Sequence, residues 1–181
     1  ILGGIYTADS GQVVIDNTPY QHRPGIANTK QDVAFIHQDL GLIEWMSVSE
    51  NMALAQGFNK RYGLIDWKAC ERATRDALAR INCNFSSTQR VSSLTRAEKS
   101  LVAIARALAV RCDFLVLDEP TASLPSHDVR SLFDVLKQLR TEGVGMIYVS
   151  HRLDEVFDIA DRAGVIRDGE TVGVRNVAHT N

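Results

Sequence analysis

Three short runs, "VAFIH" (33–37), "FLVLD" (114–118) and "MIYVSH" (146–151), are continuously apolar instead of alternating. Strands covered on both faces read this way, so the runs predict a mostly parallel sheet. Between the last two, Val129, Leu132, Phe133, Leu136 and Leu139 recur at helical spacing, with Gly143 as a stop. A strand, a crossover helix and a strand follow from that pattern. A further helix is expected over 152–162, and then "AGVIRDGETVGV", whose Asp168-Gly169 reads as a hairpin turn adding an antiparallel edge to the sheet. At the other end, "TADSGQVVIDNTPY" reads as turn, strand and turn, so the N-terminal part is β-rich.

From residue 47 to about 110 no strand pattern is evident and helical patterns replace it. Ser47 or Ser49 can cap "ENMALAQ", and Asp66 can cap "WKACERATRDALARI", with Cys70, Ala73, Ala77 and Ile81 as its apolar stripe. The expected organisation is a single α/β domain over 1–181 with a helical subdomain at approximately 47–110.

Composition narrows the classes. A net charge of −2 without long like-charge runs argues against a protein that coats nucleic acid, and 45% hydrophobic residues argue against disorder. The three cysteines lack any C-x-x-C spacing, so neither a disulfide framework nor a zinc site is indicated, and a reducing compartment fits. No apolar segment reaches the roughly 20 residues that cross a bilayer.

The chemistry concentrates where "FLVLD" ends. Ligands of open α/β sheets bind beyond the carboxyl ends of the strands, and Asp118 and Glu119 stand there side by side. Two adjacent acids suit a cation at one and a reacting water at the other; the plain alternative is that Asp118 caps the next turn.

Four segments together resemble one family. "LVLDEPTASL" looks like the Walker B segment of ABC-type ATPases, and "VSSLTRAEKSLVAIARALA" like their signature segment and its helix. "FIHQDLGLIEWMSVSEN" resembles their glutamine loop, and "IYVSHRLDEV" their histidine switch. "HQDLGLI", "YGLIDWKA" and "SHRLDEVFDIADR" look closest to ATP-binding subunits of bacterial monosaccharide importers of the ribose, xylose and galactoside kind. The resemblance implies a P-loop NTPase-like α/β core, binding of ATP and Mg²⁺, and hydrolysis that powers sugar import. It implies that Asp118 and Gln38 hold Mg²⁺, partly through water, that Glu119 is the general base, and that His151 reaches the γ-phosphate. It also places Thr95, Arg96, Ala97 and Glu98 against the ATP of a second, facing ATP-binding domain, in tandem or as a dimer. The other implied partners are transmembrane permease subunits and, indirectly, a periplasmic or extracellular sugar-binding protein, with no nucleic acid. The implied location is the cytoplasmic face of the inner membrane, as a peripheral subunit.

Three departures stand out. The usual L-S-G-G-Q is here Leu94, Thr95, Arg96, Ala97, Glu98, so Ala97 replaces the glycine that permits closest approach, and Thr95 also reads as an ordinary helix cap. Pro125 stands where an aspartate is common; the loop then either communicates differently or begins its helix after a rigid turn. No G-x-x-x-x-G-K-[ST] occurs, and "ILGGIYTADSG" resembles the tail of the helix that follows that loop, so the chain reads as a fragment without its Walker A region, inactive alone. A non-hydrolysing, ABC-like binding or regulatory partner is the alternative; an ABC protein acting on DNA or ribosomes is weaker, lacking a basic or coiled-coil insertion.

Overall fold

The computed structural model describes residues 1–22, 31–83, 85–110 and 112–179. β1 (Val14–Ile15) and β2 (Thr18–Pro19) form a small antiparallel hairpin. Its turn residues, Asp16 and Asn17, have φ of 49° and 60°. That conformation matches the twist of a two-residue hairpin loop and is tolerated best by Asn and Asp after Gly. β3 (Gln31–Ile36) follows. α1 (Val48–Gln56) starts at Ser47, whose hydroxyl accepts from the Glu50 N–H while the Glu50 carboxylate accepts from the Ser47 N–H at 2.7 Å. This reciprocal cap selects Ser47 over Ser49, which is buried inside the helix.

A hairpin of β4 (Lys60–Arg61) and β5 (Leu64–Ile65), turned by Tyr62 and Gly63 at positive φ, corrects the expectation that 47–110 holds no strand. Strands of two residues leave no room for alternation, so only the Tyr62-Gly63 pair could signal them. α2 (Trp67–Arg80) is capped by Asp66, which accepts from the Ala69 N–H at 3.0 Å. Cys70, Thr74 and Leu78 are its buried residues, with Ile81 just beyond; Ala73 and Ala77 are only half-buried. Thr74 enters the core because its hydroxyl donates to the Cys70 carbonyl at 2.9 Å, which removes the cost of burying it.

After a 3-10 turn at Val91–Ser93 come α3 (Arg96–Ala109), β6 (Cys112–Asp118), α4 (Ser126–Thr141), β7 (Gly145–Val149) and α5 (Leu153–Ile159). β8 (Arg162–Arg167) and β9 (Glu170–Asn176) close the order as a hairpin around Asp168 and Gly169.

β6 is the middle strand of a parallel sheet in the order β3, β6, β7. Ile36 pairs with Leu117, and Leu117 with Tyr148, so the three strands end nearly level. Leu115 and Leu117 are fully buried, and α4 covers the sheet with Leu132, Phe133, Leu136 and Leu139. Each such side chain contributes about 1.5–3 kcal/mol by leaving water. α1, α2 and α3 pack on one another, and Met52, Leu78 and Ile104 join the same core as the sheet.

The expected antiparallel edge is corrected. Among the described residues β8 and β9 pair only with each other, and β7 pairs only with β6. A groove of about 720 Å³ lies along β7, between it and β8, floored by Leu136, Val156 and Ile159. Ile147 and Val149 on that edge are more than 40% exposed. The hairpin turn and the crossover are local features and read directly from the pattern; docking of the hairpin onto the sheet is not local.

Candidate functional site

Because the sheet is parallel and its strands end level, the residues following each strand emerge on one side. Gln38 comes two residues after β3, Asp118 ends β6 with Glu119 next, and His151 comes two residues after β7. Asp118 pairs with Val149, and the Glu119 N–H donates to the Val149 carbonyl at 3.0 Å, carrying the ladder one residue further. Glu119 then turns to φ 46°, a left-handed backbone for which a non-glycine residue is strained by about 1–3 kcal/mol.

The turn brings the Glu119 carboxylate to 2.9 Å from His151 Nδ1. A carboxylate only accepts, so Nδ1 supplies the hydrogen and Nε2 is left to face a ligand. His151 is largely exposed and Glu119 partly so, which leaves both open to a substrate. A carboxylate and an imidazole thus meet just beyond the ends of adjacent strands, an arrangement chemically able to hold and move a proton.

Gln38 is exposed, and its backbone carbonyl accepts from the Arg96 guanidinium. Further along the same loop, Arg106 donates to the Leu40 and Gly41 carbonyls, and Lys99 reaches both carboxylate oxygens of Glu44 at 2.9 Å. Asn51, fully buried, accepts from the Ile43 N–H at 2.8 Å and donates to the Ile43 and Ser47 carbonyls. Three cations of α3 and one amide of α1 therefore hold residues 38–44. Sequence reasoning missed these contacts; the recurrence of basic residues at 96, 99 and 106 was their only signal.

Thr95 caps α3, accepting from the Glu98 N–H, while the Glu98 carboxylate accepts from the Thr95 N–H at 2.7 Å. Glu98 thus directs its charge at the start of the helix, where the dipole favours it. Ala97 is buried and Arg96 is turned to Gln38. Pro125 is the N-cap of α4 without a side-chain bond, so the helix begins directly after it.

Among the described residues no group of three or more His, Cys, Asp or Glu side chains could hold a metal. Asp118 and Gln38 supply oxygen atoms, and Mg²⁺ is commonly bound by one or two carboxylates with phosphate and water completing its shell. The donor set fits an ion shared with a phosphorylated ligand. It does not fit an ion held by the protein alone.

Residues 1–122 match the family described as ABC transporter. The chain is 40% identical over 181 residues to a putative ribose/galactose/methyl galactoside import ATP-binding protein of Burkholderia ambifaria, covering all of this chain and 35% of that protein. It is 38% identical over 173 residues to a ribose import ATP-binding protein of Rubrobacter xylanophilus, covering 96% of this chain and 34% of the relative. The chain therefore spans about a third of the length of the curated relatives it matches. A nucleotide-free ATP-binding cassette from an ABC transporter superposes with a TM-score of 0.79 at 20% identity, covering 97% of this chain and 73% of that one. The fold is that of such cassettes.

Proposed function

Since the chain belongs to the ABC transporter family, we propose that it is part of an ATP-binding and hydrolysing subunit that energises monosaccharide import. The observation that carries this reading is the 2.9 Å contact of Glu119 with His151 at the ends of adjacent parallel strands. Glu119 accepts a proton from the attacking water, and His151 orients Glu119 through Nδ1 and turns Nε2 toward the terminal phosphate. Asp118 and Gln38 supply oxygen to the cation, directly or through water. Mg²⁺, when bound with ATP, neutralises charge on the phosphate oxygens. Thr95, Arg96, Ala97 and Glu98 form the start of α3 proposed to meet the nucleotide of a second ATP-binding domain; the helix dipole favours an anion there, and its approach requires Arg96 and the Glu98 carboxylate to turn from the Gln38 carbonyl and the Thr95 N–H that they now contact.

The relatives' names support the sugar-import part of the proposal, and the transmembrane permease, the second ATP-binding domain and an external sugar-binding protein are its proposed partners. No helix among the described residues is long and apolar enough to cross a membrane. Attachment at the cytoplasmic face would then run through the permease. In a parent polypeptide of the relatives' length, of which this chain spans about a third, a glycine-rich phosphate loop would complete the phosphate site. Calorimetry of Mg-ATP binding to this chain and to the full-length parent tests the reading. Binding by the parent alone supports a nucleotide site shared between this chain and that loop. Equal binding by both would overturn that division of the site.

A further inference from the structure

Glu155 is a carboxylate in the wrong place for a surface helix. It is 2% exposed and shares the inner face of α5 with Ile159, four residues on. A charged group in such a position needs partners for its oxygens, because an unmatched buried charge is far costlier than a buried hydroxyl. Its partners come from both segments that carry the candidate chemistry. Oε2 accepts from the Thr121 hydroxyl at 2.7 Å, the Tyr148 hydroxyl at 2.7 Å and the Ser150 hydroxyl at 3.1 Å. Oε1 lies 2.8 Å from Arg152 Nη1 as an ion pair, outside hydrogen-bonding alignment. The Ser150 oxygen also accepts from the Arg152 N–H at 3.0 Å, which fixes the peptide on both sides of His151. Thr121 lies two residues after Glu119 and is itself 3% exposed. Burial pushes the Tyr148 hydroxyl well above its ordinary value, so it stays a donor.

We propose that Glu155 is a positioning residue that clamps the strand end bearing Glu119 to the strand end bearing His151, and so sets the contact between those two side chains. Beside it, the Glu119 N–H to Val149 carbonyl bond joins the backbones of the two strand ends, and the Thr121 and Tyr148 hydroxyls lie 3.3 Å apart; beyond these, Glu119 is in a strained left-handed conformation, and His151 stands on a three-residue link between β7 and α5. One carboxylate reaching Thr121 on one side and Ser150 and Arg152 on the other offsets that strain. The kinetic consequence rests on the hydrolytic reading above, whereas the clamp itself does not.

The test is hydrogen exchange on the full-length parent and its Glu155→Gln variant, which keeps the side-chain volume but loses the ion pair and turns an amide toward three hydroxyls. The expected result is exchange at least tenfold faster at the hydrogen-bonded amides of both segments, Glu119 and Ala122 on one side and Arg152 on the other, with α3 unchanged. Faster exchange in one segment only, or in neither, would overturn the clamp; faster exchange throughout would make Glu155 a general core residue and overturn it equally. A turnover arm adds a double-mutant cycle. Glu155→Gln is expected to lower kcat at least tenfold with KM for Mg-ATP within twofold, and to cost little once His151→Ala is present. An equal factor in both backgrounds would contradict action through His151. If Glu155→Gln does not fold, Ser150→Ala is measured in the same way, with exchange expected to rise at 150–152 and kcat to fall; no change in either contradicts the clamp. A parent that shows no ATP turnover refutes the hydrolytic reading and leaves the clamp to be decided by exchange.

Discussion

Arg106 Nη1 lies 2.7 Å from the Gly41 carbonyl, and its Nη2 lies the same distance from the Leu40 carbonyl. One guanidinium on α3 thereby fixes two consecutive carbonyls of the loop that begins with Gln38. The planar fork matters, since an ammonium presents one compact charge and cannot meet both oxygens with the same geometry. Arg106→Leu should destabilise the protein by about 2–3 kcal/mol, because bonds from charged donors are worth about 1.5–3 kcal/mol each and the carbonyls are left partly solvated. Arg106→Lys should recover less than half of this. Chemical denaturation of the two variants measures the difference, and hydrogen exchange at 41–43 locates it.

Gly145 pairs with Phe114 across β6 and β7, and a β-carbon built on it would lie 2.7 Å from two ring carbons of that phenylalanine. Nothing in its sequence neighbourhood announces this, as the glycine follows Val144 at a strand start. Gly145→Ala should cost about 1–3 kcal/mol through overpacking. The same change made on a Phe114→Ala background should be nearly neutral. Urea midpoints of the four proteins test the coupling.

Burial, helped by the nearby Glu98 carboxylate, pushes the Cys83 thiol from an ordinary 9.0 up to about 11. Its Sγ–H donates to the Ile81 carbonyl at 3.7 Å. The raised value means the folded protein keeps a proton that the unfolded chain loses, so this contribution to stability is complete below about pH 9 and falls as pH rises toward 11. Unfolding free energy measured from pH 8 to 11 should therefore decline more steeply for the native sequence than for Cys83→Ala. Parallel curves would show that Cys83 is not buried as described.

Much of this was legible in the sequence because it depends on neighbours along the chain. The continuous apolar runs at 33–37, 114–118 and 146–151 gave parallel strands, and the spacing of Val129 to Leu139 gave the crossover that makes them parallel. Asp118, Glu119 and His151 then had to emerge on one side of the sheet. Their mutual geometry was not legible, since the left-handed turn at Glu119 and the contact with His151 join positions 32 residues apart. The same holds for Arg96, Lys99 and Arg106 against the loop at 38–44. Glu155 could have been noticed: it stands four residues before buried Ile159, where a helix facing a core carries an apolar side chain. The two-residue strands at 60–61 and 64–65 left no periodic trace, and nothing local tells whether the hairpin at 162–176 joins the sheet.

The proposal that Glu119 and His151 form the reacting pair of an ATPase stands or falls on Mg-ATP turnover and ATP binding in the full-length parent carrying Glu119→Gln. Binding should persist while turnover falls by about 10²–10⁴, the usual loss when a general base is removed. Turnover at the native rate would rule the pair out, because no carboxylate would then be required where β6 ends.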